Sequence, residues 1–357
     1  MSPLRILDTG VLTARRNLAL TAALAELHRG GAIPDTLRFQ HFHPAAIIGR
    51  HQSLAREVRV DRCRTKGVET ARRMTGGGAI YMGPGLLGWE LIADRAPLPA
   101  RLDGITLQLC TGLAQGLSRL GIAAAFRPRN DIEVDGRKIS GTGGYIEGRT
   151  LVFQGTVLID FDMADMVDVL AFPTMKLDRK GLAAMEQRVT SLRALTGTAP
   201  SITQVCAAVT EGLAGAAGWI VEPGLLTSLE QDTANRLYDE EIGSDAFVTG
   251  EPTIVGGQSV HRQHTTAGLV EVAIVLRQSS DPRIERIWIT GDFFATPPRI
   301  IPDLEAALAG VSLSLAGTAA RRFLEERPVQ ILAGSSDDLV AAIAEAATGL
   351  ERDMAPS

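Results

Sequence analysis

Cysteine is scarce in this chain, which has three cysteines among 357 residues. Cys63, Cys110 and Cys206 lie far apart and form no Cys-x-x-Cys pair. This spacing indicates neither a disulfide framework nor a zinc site, so we interpret the three residues as core or surface thiols. Histidine is absent from residues 52–260. Because histidine is the usual general base, chemistry in the middle of the chain has to use other groups.

Long apolar runs are also missing. No stretch approaches the ~18 apolar residues of a membrane span. Met1–Thr9 lacks the charged-then-apolar pattern of a secretion signal, so we expect a soluble cytoplasmic protein with no membrane partner. The hydrophobic content of 45% is enough to bury a large core, and the length of 357 residues favours two domains.

The chain as a whole carries no excess of positive charge, because its net charge is −5. This balance argues against a nucleic-acid partner. The segment Arg50–Arg73 is locally basic, with eight basic residues against three acidic ones, but it holds no aromatic residue to stack on bases. It could face an acidic protein or a phosphate. An ordinary solvated surface is the alternative interpretation.

The chain does contain a glycine-rich stretch, Arg72–Leu91. Gly76, Gly77 and Gly78 follow the paired arginines Arg72 and Arg73. Glycines expose backbone N–H groups to a ligand, and the arginine fork binds phosphate or carboxylate. The stretch therefore indicates an anion site. A plain glycine turn beside solvated arginines remains open as the alternative.

Hydrophobic periodicity and turn residues predict an α+β core. The predicted strands are Arg5–Leu7, Thr36–Phe42, Ala45–Ile48, Ala79–Tyr81 and Leu86–Ile92, and the predicted helices are Ala14–His28 and Leu102–Leu120. The turn Met82–Gly85 is expected to join two strands of the growing core sheet.

A second informative stretch runs from Arg127 to Gly144. Asp135-Gly136 and Glu147-Gly148 predict tight turns, so three strands should form a meander. Alternation along the middle strand predicts that Lys138 and Ser140 point to the same face. Arginine, glycine N–H groups, lysine and aspartate without a His or Cys nucleophile suit phosphoryl or adenylyl transfer, in which catalysis is mostly positioning and charge neutralisation.

These residues resemble the lipoate–protein ligase family over roughly residues 5–215. The motifs that carry the resemblance are Arg72–Tyr81, Arg129–Gly141, Phe153–Leu158, Met175–Leu177 with Lys180-Gly181, and Arg188–Leu192. The resemblance implies an α+β fold in which a mixed β-sheet catalytic domain of biotin/lipoate ligase type packs with helices. It also implies activation of lipoate by ATP and Mg²⁺ to lipoyl-AMP, followed by transfer to a lysine of a carrier protein.

The resemblance also implies roles for individual residues. Lys138 would be catalytic, in contact with the acyl carbonyl and phosphate oxygens, and Asp131 would hold Mg²⁺. The implied substrate- and nucleotide-binding residues are Arg73, Thr75, Gly76, Gly77, Gly78, Ala79, Tyr81, Asn130, Asp131, Ser140, Gly141, Gly155 and Thr156. The partner would be a lipoyl-domain carrier: an E2 subunit, an H-protein-like protein or a specialised lipoate-binding protein. The oligomeric state is not indicated.

The pattern changes from about Gly243 onward, where glycines and a proline are followed by new strands. We predict a catalytic domain at 1–245 and an accessory domain at 246–357. The accessory elements expected are the strands Leu269–Leu276 and Ile284–Thr290 and the helices Ile301–Ala309, Thr318–Glu326 and Asp337–Ala347. Gly291–Phe294 resembles the accessory domain of these ligases.

Some positions depart from the family pattern. Met82-Gly83 stands where members commonly have His-Asp, and Gly143-Gly144 also differs. Pro128–Asn130 occupies the place of the nucleophilic cysteine of related octanoyltransferases. Two alternatives therefore stay open: an ATP-independent octanoyl or lipoyl transferase acting between carrier proteins, and a non-catalytic lipoyl-binding scaffold.

Overall fold

The computed structural model describes residues 3–171, 185–250, 259–277 and 282–354. They fall into two compact units. The first contains the described residues of 1–48, 54–74 and 79–250, and the second contains those of 49–53, 75–78 and 251–357. Two short loops, Gly49–Ser53 and Thr75–Gly78, thus group with the C-terminal segment. A domain boundary between residues 245 and 246 stays a prediction.

The first unit is built on a mixed β-sheet with the strand order β11-β1-β2-β6-β10-β9-β8-β7. β1 is parallel to both of its neighbours, and the other pairs are antiparallel. A smaller sheet has the order β4-β3-β5. The strands are β1 (Pro3–Leu12), β2 (Thr36–Phe42), β3 (Ala45–Ile48), β4 (Glu69–Arg72), β5 (Ile80–Met82), β6 (Leu86–Asp94), β7 (Ala125–Arg127), β8 (Asp131–Val134), β9 (Arg137–Glu147), β10 (Thr150–Leu158) and β11 (Ile220–Pro223).

Helices of the first unit cover its sheets. The described ones are α1 (Ala14–Arg29), α2 (Leu54–Glu57), α3 (Val60–Lys66), α4 (Leu102–Ser118), α5 (Met163–Val169), α6 (Leu192–Thr196), α7 (Ile202–Ala217), α8 (Ser228–Leu237) and α9 (Asp245–Thr249), with a π-helical turn at Tyr238–Ile242. In α4 the apolar residues that recur at helical spacing are buried, as the periodicity predicts. α4 also crosses α7 closely, because a Cβ at Gly116 would lie 2.1 Å from the Ala208 carbonyl oxygen.

The expected pairing across the Met82–Gly85 turn is wrong. β5 pairs with β3 in the small sheet, whereas β6 pairs with β2 and β10 in the large one. Gly85 has a φ of 79°, and its carbonyl accepts from the N–H of Ile159 and of Asp160 at 3.0 and 2.9 Å. The turn therefore moves the chain between sheets, and its local residues do not encode which strand each arm joins.

The second unit has a three-stranded antiparallel sheet, β12-β13-β14, and a two-stranded ribbon. Alternate residues of β13, Val270, Val272 and Ile274, are buried in a core with Leu339 and Ile343 of the last helix. The elements are β12 (Ser259–His264), β13 (Leu269–Arg277), β14 (Arg283–Gly291), β15 (Ala295–Thr296), β16 (Gln330–Ile331), α10 (Ile300–Leu308), α11 (Ala316–Glu325) and α12 (Ser336–Met354).

The mixed sheet with packed helices and the smaller C-terminal α+β unit confirm the predicted fold class. The predicted strands Thr36–Phe42 and Ala45–Ile48 are present with the same bounds. In the part of the chain that the structure describes, every helix is too short or too polar to cross a membrane.

Candidate functional site

The Lys138 hairpin starts from the turn that the sequence predicts. Asp135 and Gly136 join β8 to β9, and their φ angles are 51° and 75°. Left-handed backbone at both central residues is the geometry that an Asp-Gly hairpin turn requires. β10 follows β9 as its antiparallel neighbour, which confirms the predicted meander.

A β-bulge in β9 decides which side chains share a face with Lys138. Glu133 pairs with Lys138, but the preceding Ile132 pairs with Ser140, so Ile139 is an extra residue. Ile139 and Ser140 are both fully buried. The alternation of faces is interrupted there, and Lys138 and Gly141 fall on one face. In a regular strand, residues three apart lie on opposite faces.

The expectation that Ser140 shares a face with Lys138 is therefore wrong. Ser140 is 0% exposed, whereas the Lys138 side chain is 35% exposed. The Ser140 hydroxyl oxygen has no hydrogen-bond partner among the described residues. The period-two pattern fails here because a bulge adds one residue to only one of the two strands. A substrate-binding role for Ser140 stays a prediction.

Lys138 forms an ion pair on this face. Its Nζ lies 2.7 Å from Oδ1 of Asp131, whose side chain is 25% exposed. Asp131 stands directly opposite Gly141 in the neighbouring strand. A Cβ at Gly141 would lie 2.6 Å from the Lys138 Nζ and 2.8 Å from its Cε. The missing side chain of Gly141 thus leaves the space that the lysine occupies.

The backbone of Lys138 is also fixed from its other side. The Lys138 N–H donates to the Arg188 carbonyl at 2.9 Å, and the Thr190 N–H donates to the Lys138 carbonyl at 2.9 Å. Arg188–Leu192, one of the motifs that carry the family resemblance, therefore runs beside the lysine. The motif Met175–Leu177 with Lys180-Gly181 lies outside the described residues.

Asn130 forms hydrogen bonds with Thr142 across the start of the hairpin. Its side-chain amide donates to the Thr142 carbonyl. The Asn130 carbonyl accepts from the Thr142 N–H at 2.8 Å and from its hydroxyl at 2.9 Å. The amide is used internally, and a nucleotide-binding role for Asn130 stays a prediction.

Gly155 and Thr156 lie on β10 beside these residues. A Cβ at Gly155 would lie 2.5 Å from Cζ2 of Trp89, so this glycine makes room for a buried indole. The Thr156 hydroxyl accepts from the Gly141 N–H at 3.4 Å. The structure thus places Lys138, Asp131, Gly141 and Thr156 side by side on the large sheet.

The two arginines that precede the glycines have different surroundings. Arg72 donates to the carbonyls of Phe247, Val248 and Thr249, at the C-terminal end of α9. A guanidinium at that position complements the helix dipole. Arg73 is 5% exposed and donates to the Ile47 carbonyl at 3.3 Å. Burial lowers the pKa of Arg73 to about 10.

Ala79 directly precedes β5, and Tyr81 is the middle residue of that strand. Tyr81 is buried, and that burial raises the pKa of its phenol. Ala79 is half-buried against the same apolar cluster, which includes Met82, Phe42 and Leu86. These positions line a hydrophobic part of the first unit, which is compatible with contact to an aliphatic chain.

The glycine loop Thr75–Gly78 belongs to the second unit, where Thr75 is buried. A Cβ at Gly76 would lie 2.1 Å from the Phe293 carbonyl oxygen, and the Gly77 N–H donates to that oxygen at 3.2 Å. A Cβ at Gly78 would meet no described atom within 4 Å. Close backbone packing therefore accounts for Gly76, and its role in substrate or nucleotide binding stays a prediction.

Sequence reasoning missed His51 and Phe293 as neighbours of this loop. Their rings stack with centroids 5.0 Å apart and an interplanar angle of 11°. Phe293 lies in the Gly291–Phe294 motif, and His51 lies in the basic segment Arg50–Arg73. The available signal was a glycine two residues before each ring, Gly49 and Gly291, because glycine allows close backbone approach.

None of the three cysteines has the properties of a reactive thiolate. Burial raises the pKa of Cys110 to about 12 and that of Cys206 to about 12. Burial also raises the pKa of Cys63. A thiol attacks a thioester or an acyl group as its thiolate, so these residues are poor nucleophiles at neutral pH.

Side chains of the basic segment Arg50–Arg73 form ion pairs within the protein. Arg62 Nη2 lies 2.7 Å from Asp168 Oδ1, and Lys66 Nζ lies 2.7 Å from Asp165 Oδ1. The segment presents less positive charge than its composition suggests. Docking of an acidic carrier on this segment stays a prediction.

The chemistry of a metal site rests on Asp131. Among the described residues no group of three or more His, Cys, Asp and Glu side chains is placed to hold a metal ion. Mg²⁺ needs only one or two protein carboxylates when phosphates and water complete its shell. Asp131 fits that limited requirement, with one oxygen paired to Lys138.

Known proteins show similarity to this chain in sequence and in fold. It is 29% identical over 269 residues to an octanoyltransferase LipM of Kyrpidia tusciae, covering 69% of this chain and 98% of that protein. It is 24% identical over 271 residues to lipoate–protein ligase 1 of Staphylococcus aureus, covering 75% and 78%. The solved structure of LipL1 of P. falciparum in complex with lipoate has a TM-score of 0.73 at 16% identity, covering 96% of this chain and 99% of that one.

A family match covers most of the first unit. The family described as lipoyl protein ligase A/B catalytic domain matches residues 13–214, more than half of the chain. The matched range contains the glycine loop, the Lys138 hairpin and the Arg188 segment. The chain therefore belongs to the lipoyl protein ligase A/B catalytic domain family.

Proposed function

We propose that this protein is an ATP-dependent lipoate–protein ligase. The carboxylate of lipoate would attack the α-phosphate of ATP with loss of pyrophosphate. A carrier lysine amine would then attack the carbonyl of lipoyl-AMP, forming an amide and releasing AMP. The observation that supports this proposal best is the Lys138–Asp131 pair at 2.7 Å, which holds a cation in place on the sheet face.

Lys138 is proposed to neutralise negative charge in both steps. Its ammonium would donate to the acyl carbonyl and phosphate oxygens, where charge develops as each bond forms. The bulge and Gly141 hold the lysine in one place, and a charge that is already in place needs no reorganisation during the reaction. The ion pair with Asp131 orients the ammonium until substrate oxygens arrive.

ATP and Mg²⁺ are the proposed cofactors, and lipoate is the proposed acid. Mg²⁺ supplies charge neutralisation of the phosphates when it is bound. Asp131 would hold it with its second carboxylate oxygen, while Asn130 and Thr156 would contact the nucleotide. Arg73, Thr75, Gly76–Gly78, Ala79, Tyr81, Ser140 and Gly155 remain proposed binding residues.

The proposed macromolecular partner is a lipoyl-domain carrier. The family name and the ligase relative from Staphylococcus aureus support a protein acceptor.

The test is a component-omission assay. The full chain is incubated with ATP, Mg²⁺, lipoate and a lipoyl domain, and the mass of the carrier is measured with each component left out. A gain of one lipoyl group that disappears when ATP is omitted supports the proposal. Modification of the carrier without ATP contradicts it.

The alternative is an ATP-independent acyltransferase between carrier proteins. Its support is the similarity to LipM, which extends over 98% of that octanoyltransferase. The raised pKa values of Cys110 and Cys206 weigh against a cysteine-based version of this reaction. Octanoyl transfer from an acylated carrier protein, measured without ATP, would favour this alternative.

A further inference from the structure

The glycine loop is held by backbone contacts that leave no room for a side chain at Gly76. The Phe293 carbonyl lies against Gly76, where a Cβ would approach it to 2.1 Å, and accepts from the Gly77 N–H. On the other side, a Cβ at Gly49 would lie 2.0 Å from the Gly77 carbonyl oxygen. The loop backbone is thus enclosed between Gly49 and Phe293.

Ring stacking joins the two enclosing segments. His51 stacks on Phe293, and the His51 carbonyl accepts from the Gly291 N–H at 2.8 Å. Both side chains are buried, at 7% and 0% exposed. The Arg50 N–H also donates to the Thr75 carbonyl at 2.8 Å. Backbone contacts and one aromatic stack therefore act together on the loop.

Phe293 is held in place by core packing and by hydrogen bonds of its neighbours. It belongs to the apolar core of the second unit. The neighbouring Asp292 carboxylate accepts from the Leu269 N–H at 2.6 Å, and the Phe294 carbonyl accepts from the Leu332 N–H at 3.1 Å. The segment is therefore fixed on both sides of Phe293. It can restrict the backbone conformation of the loop, whose three consecutive glycines would otherwise be free to adopt many conformations.

We propose that Phe293 and His51 are positioning residues for acid activation, and that they fix the glycine loop Thr75–Gly78 in the conformation that receives the acyl-adenylate. The inference rests on the proposed function, because it takes the loop as part of the adenylate site. It gives the C-terminal segment a defined part in the reaction. Through Phe293, that segment supplies the shape of the loop.

The test uses variants of the full chain that alter the stack. His51→Ala removes it, and His51→Phe keeps an aromatic ring without the imidazole nitrogens. Lipoate-dependent exchange of pyrophosphate into ATP gives KM and kcat, and hydrogen–deuterium exchange reports the loop amides. His51→Ala is expected to raise KM for lipoate about 3- to 10-fold, the scale of one aromatic pair, with kcat changed less than about 2-fold. Exchange of the Gly77 amide should accelerate in parallel.

A conservative variant, a variant on the loop side and a control variant make the test specific. His51→Phe is expected to restore KM and loop protection to within about 2-fold of the native chain, because stacking is retained. Gly76→Ala drives a Cβ toward the Phe293 carbonyl and should reproduce the His51→Ala behaviour from the loop side. Phe323→Ala, in α11 with Arg327 over its ring, controls for general loosening of the second unit.

Two results would overturn the inference. One is an unchanged Gly77 exchange rate and KM in His51→Ala. The other is a His51→Phe variant as impaired as His51→Ala, which would assign the effect to the imidazole. If the native chain shows no lipoate-dependent pyrophosphate exchange, the proposed function fails. The loop's exchange rates in the variants would still decide whether the stack fixes its shape.

Discussion

The Lys138 hairpin and the glycine loop both drew attention in the sequence, yet the structure explains their residues differently. In the hairpin, Gly141 creates space for a charged side chain that lies over it. In the loop, Gly76 creates space for a neighbouring backbone, that of Phe293. The comparison shows that a glycine beside a chemical motif makes room either for a charged side chain or for a neighbouring backbone. The atom that occupies its missing Cβ position distinguishes the two.

Removing the hairpin's charge should have the largest effect. Lys138→Ala is expected to reduce kcat/KM for carrier lipoylation by about 100- to 1000-fold, because a fixed charge that stabilises the transition state is lost. Thermal unfolding should change little, since the Asp131 carboxylate is partly exposed to water. Lys66→Ala is the matched control, because Lys66 is also paired with an aspartate, Asp165. Equal activity in Lys138→Ala and Lys66→Ala would remove the catalytic assignment.

Filling the space under the lysine is the next test. Gly141→Ala keeps the charge but places a methyl group 2.6 Å from the native Nζ position, so Lys138 has to move. A displacement of about 1 Å at a reacting centre costs on the order of 100-fold in rate, so we expect a loss of about 10- to 100-fold. Gly215→Ala, a helix position with no described atom within 4 Å of its Cβ, is the control. If Gly141→Ala keeps full activity, the position of the ammonium is not important.

The strands, the hairpin and the glycine loop show which features could be predicted from the sequence. The strands Thr36–Phe42 and Ala45–Ile48 and the Asp135-Gly136 hairpin follow from local signals, alternation and a turn with positive φ. The bulge at Ile139 was not predicted, because it depends on the register with β8. The packing of Gly76 on Phe293 joins residues more than two hundred positions apart. Local patterns predict the elements, while long-range packing decides what each glycine contacts.

The paired arginines provide a comparison at the root of the loop. Arg72 is used by carbonyls of α9, so Arg72→Met leaves buried acceptors without a donor. We expect a loss of about 2–3 kcal/mol in the free energy of unfolding, the scale of charged hydrogen bonds. KM for ATP should stay within about 2-fold of the native value, as expected for a residue outside the nucleotide site. Denaturant unfolding and initial rates measure both quantities. A large KM increase with native stability would reassign Arg72 to the nucleotide.

The cysteines should contribute least, and testing them separates the ligase from a cysteine-based transferase. Burial raises the pKa of Cys110 to about 12, so its reactive thiolate is scarce below that pH and accumulates only as the pH rises toward it. Iodoacetamide at pH 7.5 is therefore expected to leave lipoylation within about 2-fold of the untreated rate. Cys110→Ala should behave likewise, although its Sγ lies 3.2 Å from the Thr142 hydroxyl next to the hairpin. Inactivation that follows a pKa near neutrality would contradict the buried-thiol description and favour an acyl-thioester route. Lys138→Ala removes the cation that the ligase reaction is proposed to need, whereas Cys110→Ala removes a thiol that only a cysteine-based transferase would need. The ratio of the two activities therefore distinguishes the two reactions.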